Sequence, residues 1–295
     1  MTETLDRFAS NPLGHLIFKT VQPFVRAVRH FAHPDIPNHH MITRVSCDGR
    51  QTNLRHRRWC EDDSEAIRQC FESRQYDMPS GEQRAKIDQI YDRIISSGRK
   101  PLIIDCGANI GASVAWFALR YPQAHIVAVE PAPENFALLQ LNSATFDIDL
   151  KQAGISAEDG RAYLRGGAGY MGYRISHDDC GIPVDTVSIG ALVASKPASQ
   201  YVPFLLKIDI EGAEKTVFAG DWTAINRFPL IIMEPHDWLF PGQHCSRDFF
   251  RFHVETGREF CMHHENIGSI AYRDDLEDPA SAETMAMGHA QISGI

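Results

Sequence analysis

The sequence predicts an α/β fold in which a mostly parallel sheet carries helices on both faces. Four short apolar runs are continuous rather than alternating, which is typical of strands that are covered on both sides. The runs are residues 102–104, 126–129, 204–206 and 230–233. A helical apolar stripe separates the first two runs: Val114, Phe117, Ala118 and Tyr121. Strand, helix and strand over about 30 residues make a βαβ unit, whose crossover is right-handed in nearly all folds.

The chain before residue 98 is more polar and rich in Arg and His, and its patterns predict helices and turns. One helix starts at residues 62–64 and places Ile67 and Cys70 on one face before it ends near Tyr76. A second helix covers residues 83–96. The sequence therefore divides into three predicted parts: a mainly helical N-terminal extension (1–97), the α/β domain (98–273) and a C-terminal tail without periodicity (274–295).

The composition is that of a globular protein with an acidic surplus. Of 295 residues, 43% are hydrophobic and 23% charged, which excludes a disordered, collagen-like or coiled-coil chain. Lys and Arg number 29 against 38 Asp and Glu, and the formal charge of −9 predicts no nucleic-acid partner. The seven cysteines form no CxxC pair, which predicts reduced thiols, a cytoplasmic location and no zinc site.

Membrane association is predicted to be peripheral at most. No stretch reaches the roughly 18 uncharged apolar residues that a span needs, so we predict no transmembrane segment. The first ten residues contain Glu3 and Asp6 and lack the basic start and apolar block of a signal peptide. In residues 11–33, apolar positions recur at near-helical spacing with Lys19 and Arg26 between them. Such a basic amphipathic segment either contacts a membrane surface or packs on its own domain, and both interpretations stay open.

A carboxylate closes each of the four apolar runs. These residues are Asp105, Glu130, Asp209 and Glu234. In an open parallel sheet, ligands bind outside the carboxyl ends of the strands. The four carboxylates therefore predict a ligand site at this edge of the sheet.

The loop after the first strand differs from a dinucleotide fingerprint. Counting from Gly107, Asn109 and Ala112 occupy the positions of the second and third glycines in GxGxxG. Asp105 ahead of the loop suits a cationic ligand better than a pyrophosphate. Glu130, at the end of the second strand, can accept hydrogen bonds from both hydroxyls of a ribose. Together these features predict an adenosine site beside an acidic pocket that suits a cation. S-adenosylmethionine (SAM) is the common cofactor that combines an adenosine with a positive charge.

Three blocks of the sequence resemble the FkbM family of methyltransferases, and the resemblance covers roughly residues 45–272. The blocks read IDCGANIGAS (104–113), VAVEPAPENF (127–136) and LKIDIEGAE (206–214). The resemblance implies a class I methyltransferase fold, which is Rossmann-like, with SAM as donor and a sugar or polyketide hydroxyl as the usual acceptor. It also implies that the loop lines the methionine end of the cofactor and that Glu130 holds the ribose. The cofactor-binding residues predicted on this basis are Asp105, Gly107, Ala108, Asn109, Gly111, Glu130, Pro131 and Asp209.

The third block and the strand after it bring several ionisable residues to the cleft. Lys207, Asp209 and Glu211 alternate as one strand ends, and alternation aims side chains to one side. Glu234 and His236 follow the next strand, one sheet position away. Abstraction of a hydroxyl proton needs a base, and His236 has the right intrinsic pKa at neutral pH. The predicted catalytic residues are Asp209, Glu211, Glu234, His236 and Lys207.

Other interpretations of this cluster stay open. Asp209 or Glu211 could be the base if burial or a neighbouring carboxylate raised its pKa, or they could cap the following helix. Carboxylates at Asp209, Glu211 and Glu234 could instead bind Mg²⁺, which would acidify two sugar hydroxyls. Lys207 could be an ion-pair partner rather than a catalytic group. The favoured hypothesis is base catalysis without a metal.

The predicted function is SAM-dependent methyl transfer to a hydroxyl of a small molecule or glycan, with a sugar hydroxyl as the best candidate. A non-catalytic nucleoside-binding or scaffold protein is the alternative, and an NAD-dependent oxidoreductase is disfavoured by the glycine spacing. Acceptor specificity is expected in residues 1–97, 166–182 and 236–250. Four aromatic residues there could stack on a sugar or pack in the core: Trp238, Phe240, Phe249 and Phe250.

Overall fold

The structure is a computed structural model that describes residues 40–166, 173–176 and 181–272. Of these, residues 42–56, 60–166, 173–176 and 181–272 belong to one compact unit. The described residues of a second unit are 40, 41 and 57–59, which are strand ends and the residues next to them. The amphipathic segment at residues 11–33 and the tail from residue 274 lie outside the described residues, so those two predictions stay predictions.

The described part of the chain contains thirteen strands and seven α-helices. The strands are β1 (His40–Cys47), β2 (Arg50–Arg57), β3 (Lys100–Cys106), β4 (His125–Val129), β5 (Ile148–Lys151), β6 (Gly154–Ile155), β7 (Gly160–Arg165), β8 (Arg174–Ser176), β9 (Ile182–Val187), β10 (Tyr201–Ile208), β11 (Leu230–Met233), β12 (Glu259–His263) and β13 (Asn266–Ile270). The helices are α1 (Glu61–Phe71), α2 (Gly81–Ser96), α3 (Ala112–Arg120), α4 (Pro133–Ser143), α5 (Ile189–Ala194), α6 (Glu214–Val217) and α7 (Arg247–Glu255). None of these helices is long and apolar enough to cross a bilayer.

The central sheet has seven strands in the order β12-β13-β11-β10-β3-β4-β5. Strands β5, β4, β3, β10 and β11 run parallel, and β13 is antiparallel to both of its neighbours. The chain order reverses between β3 and β10, the kind of switch point where ligands bind in such sheets. The register there pairs Asp105 with Lys207. The predicted α/β fold with a mostly parallel sheet is confirmed.

The continuous apolar runs are explained by two hydrophobic cores, one on each face of the sheet. Ile103 packs in one core with residues of α2 and α3, such as Ile90 and Phe117. Its neighbours Leu102 and Ile104 pack in the other, which also holds the aromatic side chains of Phe218, Phe249 and Phe252. Successive residues of a strand face opposite sides, so the middle of a strand with a core on each side is apolar, and the charged pair Asp105 and Lys207 lies near the carboxyl ends of β3 and β10.

Residues 42–56 form most of a β-hairpin in a region where the sequence predicts helices and turns. The turn is Asp48-Gly49, and both residues have positive φ, as a tight hairpin turn requires. Its strands bury only alternate residues, Val45, Cys47, Leu54 and His56. The side chain of Asn142 on α4 anchors the hairpin, because it accepts from Arg55 N–H at 2.7 Å and donates to Arg55 O at 2.9 Å.

The two predicted helices of this region exist, with shifted ends. Helix α1 ends at Phe71, earlier than predicted, and α2 begins two residues earlier than predicted because Ser80 accepts a hydrogen bond from Gln83 N–H. Both helices pack in the same core as the central sheet. A domain boundary at residue 97 stays a prediction, and the buried apolar residues of the hairpin, Val45, Cys47 and Leu54, lie in that core too.

Candidate active site

The carboxyl ends of β3, β4, β10 and β11 meet at one edge of the sheet, beside a cavity of about 350 Å³. Backbone hydrogen bonds tie the strand ends: Asp209 N–H donates to Cys106 O at 3.1 Å, and Glu234 N–H to Ile208 O at 3.0 Å. Eight of the predicted site residues line the cavity: Gly107, Asn109, Glu130, Pro131, Asp209, Glu211, Glu234 and His236. The other four are buried outside this lining: Asp105, Ala108, Gly111 and Lys207.

The glycine loop lies against the neighbouring strand so closely that a side chain at residue 107 is excluded. Gly107 has φ +84°, and a Cβ placed on it would stand 1.9 Å from the carbonyl oxygen of Asp209. The N–H groups of Gly107 and Ala108 both donate to Val129 O at 3.0 Å. Asn109 also has positive φ. Gly107 is therefore required by the close approach of the loop to the end of β10, and both Gly107 and Asn109 line the cavity.

Glu130 joins the glycine loop to the turn that precedes α4. Its Oε2 accepts from Asn109 N–H at 2.9 Å and its Oε1 from Ala132 N–H at 2.9 Å. Burial raises the pKa of this carboxyl to about 7, although the backbone donors oppose the shift. Asn135 Nδ2 also donates to Oε1, at 3.5 Å. A carboxylate offers about four acceptor positions, so Oε2 keeps capacity for a hydroxyl donor from a ligand in the cavity.

Lys207 is buried behind the cavity between two carboxylates. Its Nζ lies 3.2 Å from Asp105 Oδ1 and 3.3 Å from Asp209 Oδ2, and it donates to Gly107 O at 2.7 Å. Burial by itself would lower the pKa of Lys207, but the charges of Asp105 and Asp209 outweigh it and hold that pKa well above its ordinary value. This geometry corresponds to the ion-pair alternative for Lys207. Through these contacts the Lys207 side chain fixes the glycine loop and Asp209 to each other.

His236 stands at the centre of the carboxylate cluster, with a side chain only 2% exposed. Its Nδ1 is 2.7 Å from Glu214 Oε1. Its Nε2 faces the cavity carboxylates, 3.6 Å from Glu234, 3.7 Å from Asp209 and 4.0 Å from Glu211. Burial opposes protonation, but the hydrogen bond to Glu214 and the surrounding negative charges prevail and raise the pKa of His236 to about 9.

The carboxyls around His236 also hold protons more tightly than usual. Burial, together with the charge of Asp209, raises the pKa of Glu211 to about 7 and that of Glu234 to about 8. At neutral pH the cluster therefore shares protons among several oxygens and the imidazole. A ligand that brings positive charge into the cavity would release some of them.

A divalent cation could be bound by a set of ligands that differs from the predicted one. One ligand atom each from Asp209, Glu234 and His236 lie within 4.8 Å of one another. The sequence predicts Glu211 in place of His236.

Asp209 and Glu211 do not cap α6, which has no side-chain cap, so the capping alternative is wrong. The Gly212 N–H instead donates to Glu214 Oε1 at 3.2 Å.

The four candidate aromatic residues have different environments. Trp238 is 72% exposed and lines the cavity, as a stacking residue must. Phe240 packs on Gly212, where a Cβ would stand 2.6 Å from its ring, and the guanidinium of Arg174 lies 5.0 Å above it. Phe249 is fully buried in the core, and Phe250 is half exposed on α7 outside the cavity lining.

Several residues of the cavity are not among those that the sequence predicts. Gln69 on α1 and Glu265 in the turn between β12 and β13 line it from distant parts of the chain. Tyr173 and Ile175 reach it from β8 and the residue before it, in a four-stranded sheet of order β6-β9-β7-β8. Glu214, behind His236, belongs to the third sequence block, and its place in that block was the available signal.

Comparison with known sequences matches residues 105–256 to the model of the methyltransferase FkbM domain. Methyltransferase sdnD of Sordaria araneosa is 39% identical over 77 residues, which are 25% of this chain and 29% of that protein. Methyltransferase 1 of Beauveria bassiana (strain ARSEF 2860) is 27% identical over 159 residues, which are 45% of this chain and 63% of that protein. The chain thus matches less than two thirds of the length of either relative.

Solved structures show more distant similarity. The SAH-bound methyltransferase PaMTH1 of Podospora anserina aligns with a TM-score of 0.36 and 16% identity, over 71% of this chain and 86% of that chain. Precorrin-6y C5,15-methyltransferase of Geobacter metallireducens GS-15 aligns with a TM-score of 0.33 and 13% identity, over 62% of this chain and 86% of that chain. At these levels the alignments locate no residue of the cavity.

Proposed function

The chain belongs to the FkbM methyltransferase family, and from this premise we propose that it transfers a methyl group from SAM to a hydroxyl of a small molecule or glycan. Its family domain is a SAM-dependent methyltransferase domain of the class I fold. The observation that carries the proposal is the cavity in which the Gly107 loop and Glu130 lie beside His236 and its carboxylates. One half suits a nucleoside and the other suits a cation and a proton transfer.

The cofactor half fits SAM on three observations. Gly107 and Asn109 of the loop line the cavity, Glu130 Oε2 retains acceptor capacity for a ribose hydroxyl, and the acidic wall suits a positive charge. Bound SAM supplies a methyl group that its sulfonium already activates. The protein must then align the acceptor in line with the departing sulfur and exclude water.

We assign the acceptor proton to His236. Its Nε2 faces the cavity while its Nδ1 is held by Glu214. A hydroxyl donating to Nε2 would pass its proton there as the oxygen attacks the methyl group. Asp209 keeps Lys207 as a partner, and its charge stabilises the imidazolium that forms.

Metal assistance is the competing proposal for the same residues. Asp209, Glu234 and His236 could hold a divalent cation, which would acidify an acceptor hydroxyl. We favour the metal-free form because Lys207 and the protons that the carboxyls hold already compensate the charge of the cluster. Dialysis against EDTA decides between them: turnover should persist, whereas its loss and recovery with Mg²⁺ or Mn²⁺ would establish the metal form.

A sugar hydroxyl is the acceptor we favour. Trp238 offers an exposed ring at the cavity, and Gln69 and Glu265 offer hydrogen-bonding groups of the kind that bind hydroxyls.

The described cysteines are free thiols, which supports the proposed cytoplasmic location.

The experiment that tests the function is transfer of labelled methyl from SAM to a panel of glycans, sugars, nucleotide sugars and polyketides. We expect label in a carbohydrate hydroxyl. Label in a polyketide would correct the acceptor and keep the activity. Binding of S-adenosylhomocysteine (SAH) without transfer to any acceptor would favour the nucleoside-binding alternative, and binding of NAD in preference to SAM would favour an oxidoreductase.

A further inference from the structure

Glu214 is a completely buried carboxylate at the start of α6, without solvent and without a lysine or arginine partner in the contacts of the described chain. Its Oε1 receives two donors, His236 Nδ1 at 2.7 Å and Gly212 N–H at 3.2 Å. Its Oε2 is buried without a hydrogen-bond partner. A buried carboxylate with an unpaired oxygen destabilises a fold, so its presence beside a cavity histidine calls for a functional explanation.

The geometry determines which ring nitrogen of His236 carries the proton. A carboxylate oxygen only accepts, so the 2.7 Å contact requires a proton on Nδ1. In the neutral ring the lone pair is then on Nε2, the nitrogen that faces Asp209 and Glu234 at the cavity. When Nε2 takes a proton, the carboxylate behind the ring stabilises the new charge.

We propose that Glu214 is a positioning residue for the methyl transfer: it holds His236 in the Nδ1-protonated tautomer with Nε2 directed at the acceptor. The inference rests on the proposed function, in which His236 takes the acceptor proton. Glu214 does not line the cavity and acts through His236 alone. Capping of Gly212 does not account for its charge, since the neutral oxygen of a glutamine would accept that hydrogen bond equally well.

The test is Glu214→Gln, which preserves shape while it removes the charge, and which replaces an oxygen that can only accept with an amide that can turn either its oxygen or its NH2 to His236 Nδ1. We expect kcat to fall roughly 100-fold, in the range of general base effects, with the KM for the acceptor and the Kd for SAH within about threefold of wild type. Glu214→Asp, which keeps the charge, should recover part of kcat. In a His236→Gln background, Glu214→Gln should cause no further loss, because the residue it serves is gone.

A second readout is independent of activity. The ¹⁵N shifts of histidine-labelled protein report the tautomer of His236, with His236→Gln used for assignment. We expect Nδ1 to be protonated in the wild type at high pH, and a mixture of tautomers in Glu214→Gln. If the proposed function fails, this tautomer measurement still decides the role of Glu214.

Three results would overturn the proposal. These are a neutral ring with its single proton on Nε2 in the wild type at high pH, an unchanged kcat in Glu214→Gln, or equal losses from Glu214→Gln with and without His236. The last would show that the carboxylate supports the fold rather than the histidine. Thermal unfolding of each variant accompanies the kinetics, and if Glu214→Gln does not fold, the kcat and spectrum of Glu214→Asp serve instead.

Discussion

Replacing Gly107 with alanine tests whether the glycine loop is held against β10 as tightly as the structure shows. The new Cβ would stand 1.9 Å from Asp209 O and 3.0 Å from its carbonyl carbon. Both atoms belong to the backbone, so no side-chain rotation relieves the clash. Either the loop or the end of β10 has to move, and both carry residues of the cavity.

The expected loss of stability has two parts. Alanine at φ +84° costs roughly 1–2 kcal/mol as a left-handed residue, and the overpacked contact costs roughly 1–3 kcal/mol more. The sum, about 2–5 kcal/mol, is a large part of the stability of a typical domain. Gly98 supplies a matched control, because it has φ +79° and a Cβ placed on it would meet no atom within 4 Å. Gly98→Ala should therefore show only the first part.

Urea denaturation of the two variants measures the difference, and titration calorimetry with SAH measures the effect on the site. Gly107→Ala should be the less stable by at least about 1 kcal/mol and should bind SAH at least tenfold more weakly than wild type. Gly98→Ala should bind SAH normally. Equal stability of the two variants, with normal SAH binding by both, would refute the close approach of the loop to Asp209.

Three further predictions concern protonation and the acceptor. The kcat/KM should rise as pH increases through about 9, because His236 must lose its proton to act as a base, and a profile that is flat from pH 7 to 10 would argue against His236. The unfolding free energy of the ligand-free protein should fall as pH rises. Each of Glu211, Glu234 and His236 binds its proton more tightly when the protein is folded. The loss of stability therefore runs from pH 4.5 to about 7 for Glu211, from pH 4.5 to about 8 for Glu234 and from pH 6.5 to about 9 for His236. Urea denaturation at pH 6 and pH 9 measures this loss, and a protein that is more stable at pH 9 would contradict the pKa shifts. Trp238→Ala should raise the acceptor KM several-fold with little change in SAH affinity, and an unchanged KM would remove Trp238 from the acceptor site.

The sequence predicts the parallel sheet well because burial on both faces leaves its mark locally. Each apolar run, such as residues 126–129, can be identified from its own residues alone. The end of the run then locates the carboxylate that follows the strand. The cavity residues Glu130, Asp209, Glu234 and His236 were therefore predictable as a group. Their convergence follows from the rule that parallel strands end at one edge.

Features that depend on long-range packing were not predictable in the same way. The hairpin around Asp48-Gly49 buries only a few alternate residues in a polar segment, so its period-2 pattern is weak, although the turn pair itself is a hairpin signal. Gln69 and Glu265 reach the cavity from nearly 200 residues apart along the chain, and no local pattern links them. The partnership of Glu214 with His236 likewise depends on the packing of α6 behind the strand ends.

Binding of SAM in the cavity lined by Glu130 is measured by calorimetry of wild type and Glu130→Ala with SAM, SAH and NAD. We expect SAM and SAH to bind the wild type and NAD not to bind. Glu130→Ala should lose on the order of 1–3 kcal/mol of SAH affinity, through an unpaired ribose hydroxyl and the loss of the acceptors that hold Asn109 and Ala132. Tighter binding of NAD than of SAM, or an unchanged SAH affinity in Glu130→Ala, would contradict the account.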